Sequence, residues 1–130
     1  MQVLAVDDND TNLQVMKNLC EVLGLSCDLA RDGWEAVERV RATPYDLVLM
    51  DICMPIMDGV AATKAIRALD GKAGRTPVVA VTANADRAEA ELYLAAGVNS
   101  VVAKPVNIPD LMRAIQLALD PEAAGDRSAA

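Results

Sequence analysis

Leu47-Val48-Leu49-Met50-Asp51 sets four aliphatic side chains in a row and ends them on one carboxylate. A run of this kind, without polar alternation, is how a strand covered on both faces reads. Four more short apolar runs lie around it, at residues 3–6, 27–30, 78–81 and 101–103. Each of the five is followed by a stretch of helical periodicity. Strictly alternating strands and helices predict a parallel sheet with right-handed crossovers and helices on both faces.

The helical stretches have legible ends. After the first strand, Leu13, Met16, Leu19, Cys20 and Leu23 recur at spacings of three and four. Asp10 or Thr11 is the expected cap of that helix, and Gly24 its stop. Arg31-Asp32-Gly33 reads as a turn, and Trp34, Val37 and Val40 mark a helix that ends before Pro44. An irregular loop at residues 52–58 precedes a helix over about 59–69, and residues 71–77 read as loop. A fourth helix is expected over about 86–96, stopped by Gly97. The fifth runs over about 108–119, capped by Asn107, with Pro109 tolerated in its first turn and Pro121 at its end. Residues 1–119 thus read as one domain, and residues 120–130, small and polar, as a tail or the start of a linker.

Composition narrows the function classes. The formal charge is −7 over 130 residues, a balance that phosphate backbones repel, so nucleic acid is not an expected partner. No apolar run is long enough to span a bilayer, and no basic stretch leads into an apolar segment at the amino end. Cys20, Cys27 and Cys53 are odd in number and show no CxxC spacing, which fits a reducing compartment better than disulfides or a zinc site. Cys20 and Cys27 sit in apolar surroundings and read as small core residues. The expectation is a soluble cytoplasmic domain.

In parallel α/β sheets, ligands bind outside the carboxyl ends of the strands. At those ends stand Asp7-Asp8, Asp51, Thr82 and Lys104-Pro105. Three carboxylates in one pocket repel one another, and a hard divalent cation removes the conflict. Carboxylate oxygens suit magnesium, which keeps waters and shares its shell with phosphate oxygens. Lys104 supplies a compact cation for a phosphate and Thr82 a hydroxyl donor. No Ser, Cys or His stands ready as nucleophile, so a carboxylate must serve. Asp51, alone at the end of the central strand, is the candidate.

On these residues the chain resembles the receiver domain of two-component response regulators. The matching pieces are Val6-Asp7-Asp8-Asn9, residues 47–51, Met54-Pro55-Ile56-Met57-Asp58-Gly59, Val81-Thr82-Ala83 and Lys104-Pro105. The Asp7-Asp8-Asn9-x-x-Asn12 run is most like receivers of hybrid histidine kinases. The resemblance implies a doubly wound, flavodoxin-like α/β fold: a five-stranded parallel sheet of order 2-1-3-4-5 with five helices on both faces. It implies that Asp51 accepts the phosphoryl group from a histidine kinase or histidine phosphotransfer protein. Asp8, Asp51 and the carbonyl of Cys53 would ligate Mg2+, with Asp7 acting mostly through water. Thr82 and Lys104 would bond the aspartyl phosphate, and the Lys104–Pro105 peptide would be cis. The first helix would dock the phosphodonor, with Leu13, Val15 and Met16 among the contacts. A monomer or weak dimer is expected, signalling to a downstream protein or relaying the group onward.

The chain contains no histidine, so a phosphodonor histidine must come from another protein or segment. Receivers often carry an aromatic three residues before the lysine; here that position is Val101. Tyr93, on the fourth helix, is then a candidate for another output surface or simply a partly exposed aromatic. Cys53 and Asn84 occupy positions that tune phosphate lifetime in the family. Two other readings stand beside the first. Asp8-x-Asp10 superficially matches a haloacid-dehalogenase-like phosphohydrolase, and Val101 is compatible with a non-switching docking pseudo-receiver.

Overall fold

A computed structural model describes residues 1–54 and 57–120. The elements alternate as the sequence predicts: β1 (Gln2–Val6), α1 (Asp10–Val22), β2 (Ser26–Ala30), α2 (Gly33–Ala42), β3 (Leu47–Asp51), α3 (Gly59–Arg67), β4 (Val78–Thr82), α4 (Arg87–Ala96), β5 (Ser100–Ala103) and α5 (Ile108–Leu119). All five strands are parallel, in the order β2-β1-β3-β4-β5. The expected stop at Pro121 and nearly all of the expected tail lie outside the described residues, as do Pro55 and Ile56 of the loop after β3.

The continuous apolar runs have a direct explanation. Leu4, Val6, Val48, Met50, Val78 and Ala80 face a core shared with α2, α3 and α4. Their strand neighbours Val3, Ala5, Leu47, Leu49, Val79 and Val81 face a second core under α1 and α5. Successive side chains of a strand point to opposite faces. With a core on each face, every position must therefore be apolar. Leu47 through Met50 are fully buried, and each such side chain stabilises the fold by about 1.5–3 kcal/mol.

Each strand-to-helix connection leaves the carboxyl edge of the sheet through an Asx cap. Asn9 accepts from the amides of Thr11 and Asn12. Asp32, Asp58, Asp86 and Asn107 cap α2, α3, α4 and α5 through the third residue beyond. The cap of α1 is therefore Asn9, not Asp10 or Thr11. Asn9 is extended and its oxygen reaches two free amides at once, whereas Asp10 already lies inside the first turn and pairs with Arg31. Gly97 ends α4 with φ 114°, a conformation that side chains with a Cβ rarely adopt.

Three local readings differ from the structure. Trp34 is 58% exposed, because the buried stripe of α2 runs through Gly33, Ala36, Val37 and Val40 and leaves Trp34 at its edge. Residues 71–75, expected as loop, form a 3-10 turn. Arg67 stitches that turn to the helix before it and to the start of β5. Its Nη1 donates to the carbonyls of Gly74 and Thr76 (3.2 and 2.7 Å), its Nε to Gly97 (3.0 Å) and its Nη2 to the Asn99 side chain (2.8 Å). Tyr93 is only 7% exposed, its ring in the core beneath α4 and its hydroxyl donating to Glu89 at 3.2 Å. Leu92 and Leu94 take the exposed positions on either side of it.

Candidate functional site

Asp7 follows the last residue of β1 and is held there by its own backbone, whose N–H donates to Ala30 (3.1 Å). Its Oδ1 accepts from the Asn9 amide at 2.9 Å. Its Oδ2 is buried and, among the described residues, is the one buried side-chain polar atom without a hydrogen-bond partner. Asp51 ends β3 at 2% exposure, and Asp8 stands exposed at the mouth. Carboxylate oxygens of Asp7, Asp8 and Asp51 lie within 4.8 Å of one another.

Lys104 arrives from the end of β5, where its amide donates to the Thr82 carbonyl at 2.8 Å. Its Nζ donates to Asp51 Oδ1 at 3.0 Å and lies 3.6 Å from Asp7 Oδ2. The Lys104–Pro105 peptide is cis, as the resemblance implied. Thr82 ends β4, buried, with its hydroxyl turned to the next loop: it accepts from the Asn84 amide (3.1 Å) and donates to the Asn84 carbonyl (3.2 Å). Cys53, two residues beyond Asp51, is exposed. The structure thus brings Asp7, Asp8, Asp51 and Lys104 together, while Thr82 stands at its strand end with its hydroxyl bonded to Asn84.

One cation serves three acids here. Two like charges at 4.8 Å repel by about 3 kcal/mol at an effective dielectric constant near 20. Burial pushes the Asp51 carboxyl up; the Lys104 hydrogen bond opposes this, and the charge of Asp7 reinforces it. Burial alone would pull Lys104 down, but its bond to Asp51 and the charges of Asp51 and Asp7 outweigh it, so the ammonium is held above its ordinary value. Lys104 is therefore charged at neutral pH, and the Asp7 oxygen that lacks a hydrogen bond shares this single ammonium with Asp51. A donor set of hard carboxylate oxygens fits Mg2+.

This arrangement would make the binding of a cation such as Mg2+ pH-dependent, and the sign follows from the raised Asp51 pKa. Without metal, the raised pKa adds folding stability below the ordinary carboxylate value, and that contribution is lost as pH rises through the raised one. A bound Mg2+ would need the deprotonated form and would stabilise the fold by mass action. Millimolar Mg2+ is therefore expected to raise the melting temperature most near neutral pH and progressively less as Asp51 protonates. Thermal melts in Mg2+ and in EDTA across pH check this; a pH-independent increment would contradict it.

The sequence motifs did not reveal why the loop after Asp51 must end in glycine. A Cβ on Gly59 would stand 2.3 Å from the Asp51 carbonyl oxygen and 2.8 Å from Ile52 Cα. The Gly59 amide donates to the Ile52 carbonyl at 3.0 Å, so the first turn of α3 is pressed against the backbone that carries the acceptor. The available signal was a glycine at the first position of a helix, where propensity disfavours it. Beside the acids, a groove of about 340 Å³ runs between α1 and the segment after β5, lined by Asn12, Val15, Met16, Pro105 and Val106 and opening onto Asp7 and Lys104. Of the three expected docking contacts on α1, Leu13 and Met16 are buried in the core, and Val15, 44% exposed, is the one on the surface.

Comparison with known proteins agrees with this geometry. The family described as "Response regulator receiver domain" matches residues 3–116. The signal transduction histidine-protein kinase BarA of Escherichia coli is 44% identical over 106 residues, covering 82% of this chain and 11% of its own length. The hybrid signal transduction histidine kinase G of Dictyostelium discoideum is 41% identical over 113 residues, covering 85% of this chain and 3% of its own. The chain thus spans a small part of the curated relatives it matches. Among solved structures, the receiver domain of the sensor histidine kinase PA1611 from Pseudomonas aeruginosa, described with magnesium in its active-site cleft, superposes with a TM-score of 0.81 at 37% identity. That match covers 91% of this chain and 96% of the other. The chemotaxis protein CheY4 of Vibrio cholerae gives 0.82 at 28% identity, covering 91% and 98%.

Proposed function

This chain belongs to the response regulator receiver domain family of two-component and phosphorelay signalling, and we propose that Asp51 is the residue that takes its phosphoryl group. The donor is a phosphohistidine on a histidine kinase or histidine phosphotransfer protein, since the chain has no histidine of its own. The observation that carries this reading is the gathering of three carboxylates, Asp7, Asp8 and Asp51, about one ammonium, with the buried Asp7 Oδ2 lacking a hydrogen bond and Lys104 Nζ 3.6 Å from it. A buried oxygen of this kind is costly unless a cation or donor joins it.

In the reaction the Asp51 carboxylate attacks phosphorus, the P–N bond breaks, and an aspartyl phosphate forms. Asp7, Asp8, Asp51 and the Cys53 carbonyl would hold Mg2+, which supplies positive charge against the phosphoryl oxygens. Lys104 exchanges its contact with Asp51 Oδ1 for a phosphoryl oxygen, so its charge is present before and after transfer. Positioned charges of this kind do most of the work in phosphoryl transfer, which lets the domain catalyse its own phosphorylation. The groove beside the acids, with Val15 on its rim, receives the donor. The family match offers nothing to the phosphohydrolase reading.

The hydroxyl of Thr82 couples the chemistry to the surface. Its two bonds to Asn84 hold the loop whose Asn84 side chain accepts from the Asp86 amide at 3.2 Å, and Asp86 caps α4. When the hydroxyl turns to the phosphate, the start of α4 loses that tether, so the switch proceeds with Val101 on β5. Output is then a protein contact or onward relay in the cytoplasm, from a monomer or weak dimer. Beryllium fluoride, a mimic of the aspartyl phosphate, tests this with magnesium present. Amide shifts are expected around Asp51, Thr82 and Lys104 and into α4. In Thr82→Ala the pocket shifts should persist and most α4 shifts vanish. α4 shifts like those of the unmodified protein in that variant would defeat the coupling.

A further inference from the structure

The groove beside the acids has apolar walls, among them Val15, Met16 and Val106, and three polar side chains, Asp7, Asn12 and Lys104. Two of the three are committed to the site: Asp7 Oδ1 accepts from the Asn9 amide, and Lys104 Nζ holds Asp51 Oδ1 at 3.0 Å. Asn12 is half-buried, and among the described residues its side-chain amide has no hydrogen-bond partner. Asn9, Asn18, Asn84, Asn99 and Asn107 all bond through theirs. The usual local reason for a polar side chain at this place does not apply. Asn12 is the third residue beyond the cap of α1, where a side chain often reaches back to the amide of the cap residue. Here that amide donates to Asp7 at 2.9 Å instead, while the Asn12 backbone N–H donates to the Asn9 side chain at 3.1 Å. The two bonds place the Asn12 backbone one residue's link from Asp7 and leave its side chain to the groove.

We propose that Asn12 receives the imidazole of the phosphodonor histidine, its side-chain oxygen accepting from the ring nitrogen that does not carry phosphorus. The inference rests on the reading of Asp51 as acceptor and names the group that enters beside it. The chain has no histidine, so the ring comes from outside. A flat ring with one N–H at its edge suits a groove of about 340 Å³ with apolar walls and one unengaged amide. The pairing also serves the chemistry. A phosphorylated imidazole with a proton on its second nitrogen is a cationic ring. When the Asp51 carboxylate attacks phosphorus, the P–N bond breaks and its electron pair returns to the ring. The ring then departs as neutral imidazole, with its proton still in place. Asn12 Oδ1 accepts from that N–H before and after transfer, and an amide does not take the proton away as a carboxylate could. Lys104 meets the phosphoryl oxygens and Asn12 the leaving group, so the two act on opposite sides of the bond that breaks.

Three phosphodonors separate the ring from the rest of the donor. Acetyl phosphate has no ring, N-phosphoimidazole has the ring alone, and a phosphorylated histidine phosphotransfer protein has the ring and a docking surface. Initial rates of phosphate incorporation with Mg2+ present are read by intact mass for the parent chain and for Asn12→Ala, a change that suits a helix and removes only the amide. In the variant, the rate from N-phosphoimidazole relative to that from acetyl phosphate is expected to fall about 10-fold, and the protein donor should show the same relative fall. Three outcomes would overturn the proposal. A loss confined to the protein donor makes Asn12 a docking contact only. An equal loss with all three donors marks a structural role, and unaltered ratios leave the ring without a partner at Asn12. A parent chain that takes up phosphate from none of the donors would overturn the assignment of Asp51, and this inference with it.

Discussion

Asp51→Asn is expected to take up no acid-labile phosphate from a phosphohistidine donor, a loss of at least ~100-fold in incorporation. The amide has the shape of the carboxylate but not its nucleophilicity. Asp51 is almost fully buried at the end of a strand whose other residues are all core, so an isosteric change leaves packing intact. The side-chain oxygen can still accept from Lys104 Nζ, now at 3.0 Å from Oδ1. Burial raises the Asp51 pKa, which means that the charged form opposes folding at neutral pH. The variant should therefore be at least as stable as the parent, and a lost signal cannot be blamed on unfolding. Intact mass after incubation with phosphorylated donor, alongside a urea titration, reads both quantities. Unchanged stoichiometry would remove Asp51 from the acceptor role.

The sheet and the edge residues were legible because they rest on local patterns. Unbroken apolar runs such as Leu47 to Met50 announce burial on both faces, and the polar residue after each run marks the edge where ligands bind. What the sequence hid depends on how elements meet. Tyr93 gives no local sign that its ring points under α4 while Leu92 and Leu94 face solvent, because the helix is short and apolar at several adjacent positions. Arg67 looks like any charged residue in the last turn of a helix, yet its four bonds reach carbonyls and an amide seven to thirty-two residues away. Thr82 stood out at its strand end, but its pairing with Asn84, and through it with the cap of α4, required the fold of the loop. Asn9 was passed over as a cap in favour of its neighbours because Asn, Asp and Thr cap by the same chemistry, and only the backbone turn decides among them.

Gly59→Ala separates a packing role from propensity, since the two predict opposite signs. In a solvent-exposed helix the change gains about 1 kcal/mol. Here the added methyl meets backbone on one side: the Asp51 carbonyl oxygen at 2.3 Å, Ile52 Cα at 2.8 Å and the Asp51 carbonyl carbon at 3.0 Å. None of these is the end of a flexible side chain, so relief requires α3 to retreat or β3 to bend. Retreat breaks the Gly59 amide bond to Ile52 and moves the carbonyl that accepts from buried Thr63 at 2.7 Å. A net destabilisation of about 2–4 kcal/mol is expected. Bending displaces Asp51, and misplacement by about 1 Å lowers the transfer rate by on the order of 100-fold. Urea unfolding and the rate of phosphate incorporation measure the two effects on one preparation. A variant as stable and as readily phosphorylated as the parent would show that the turn yields, and that Gly59 is not what holds the acceptor strand against α3.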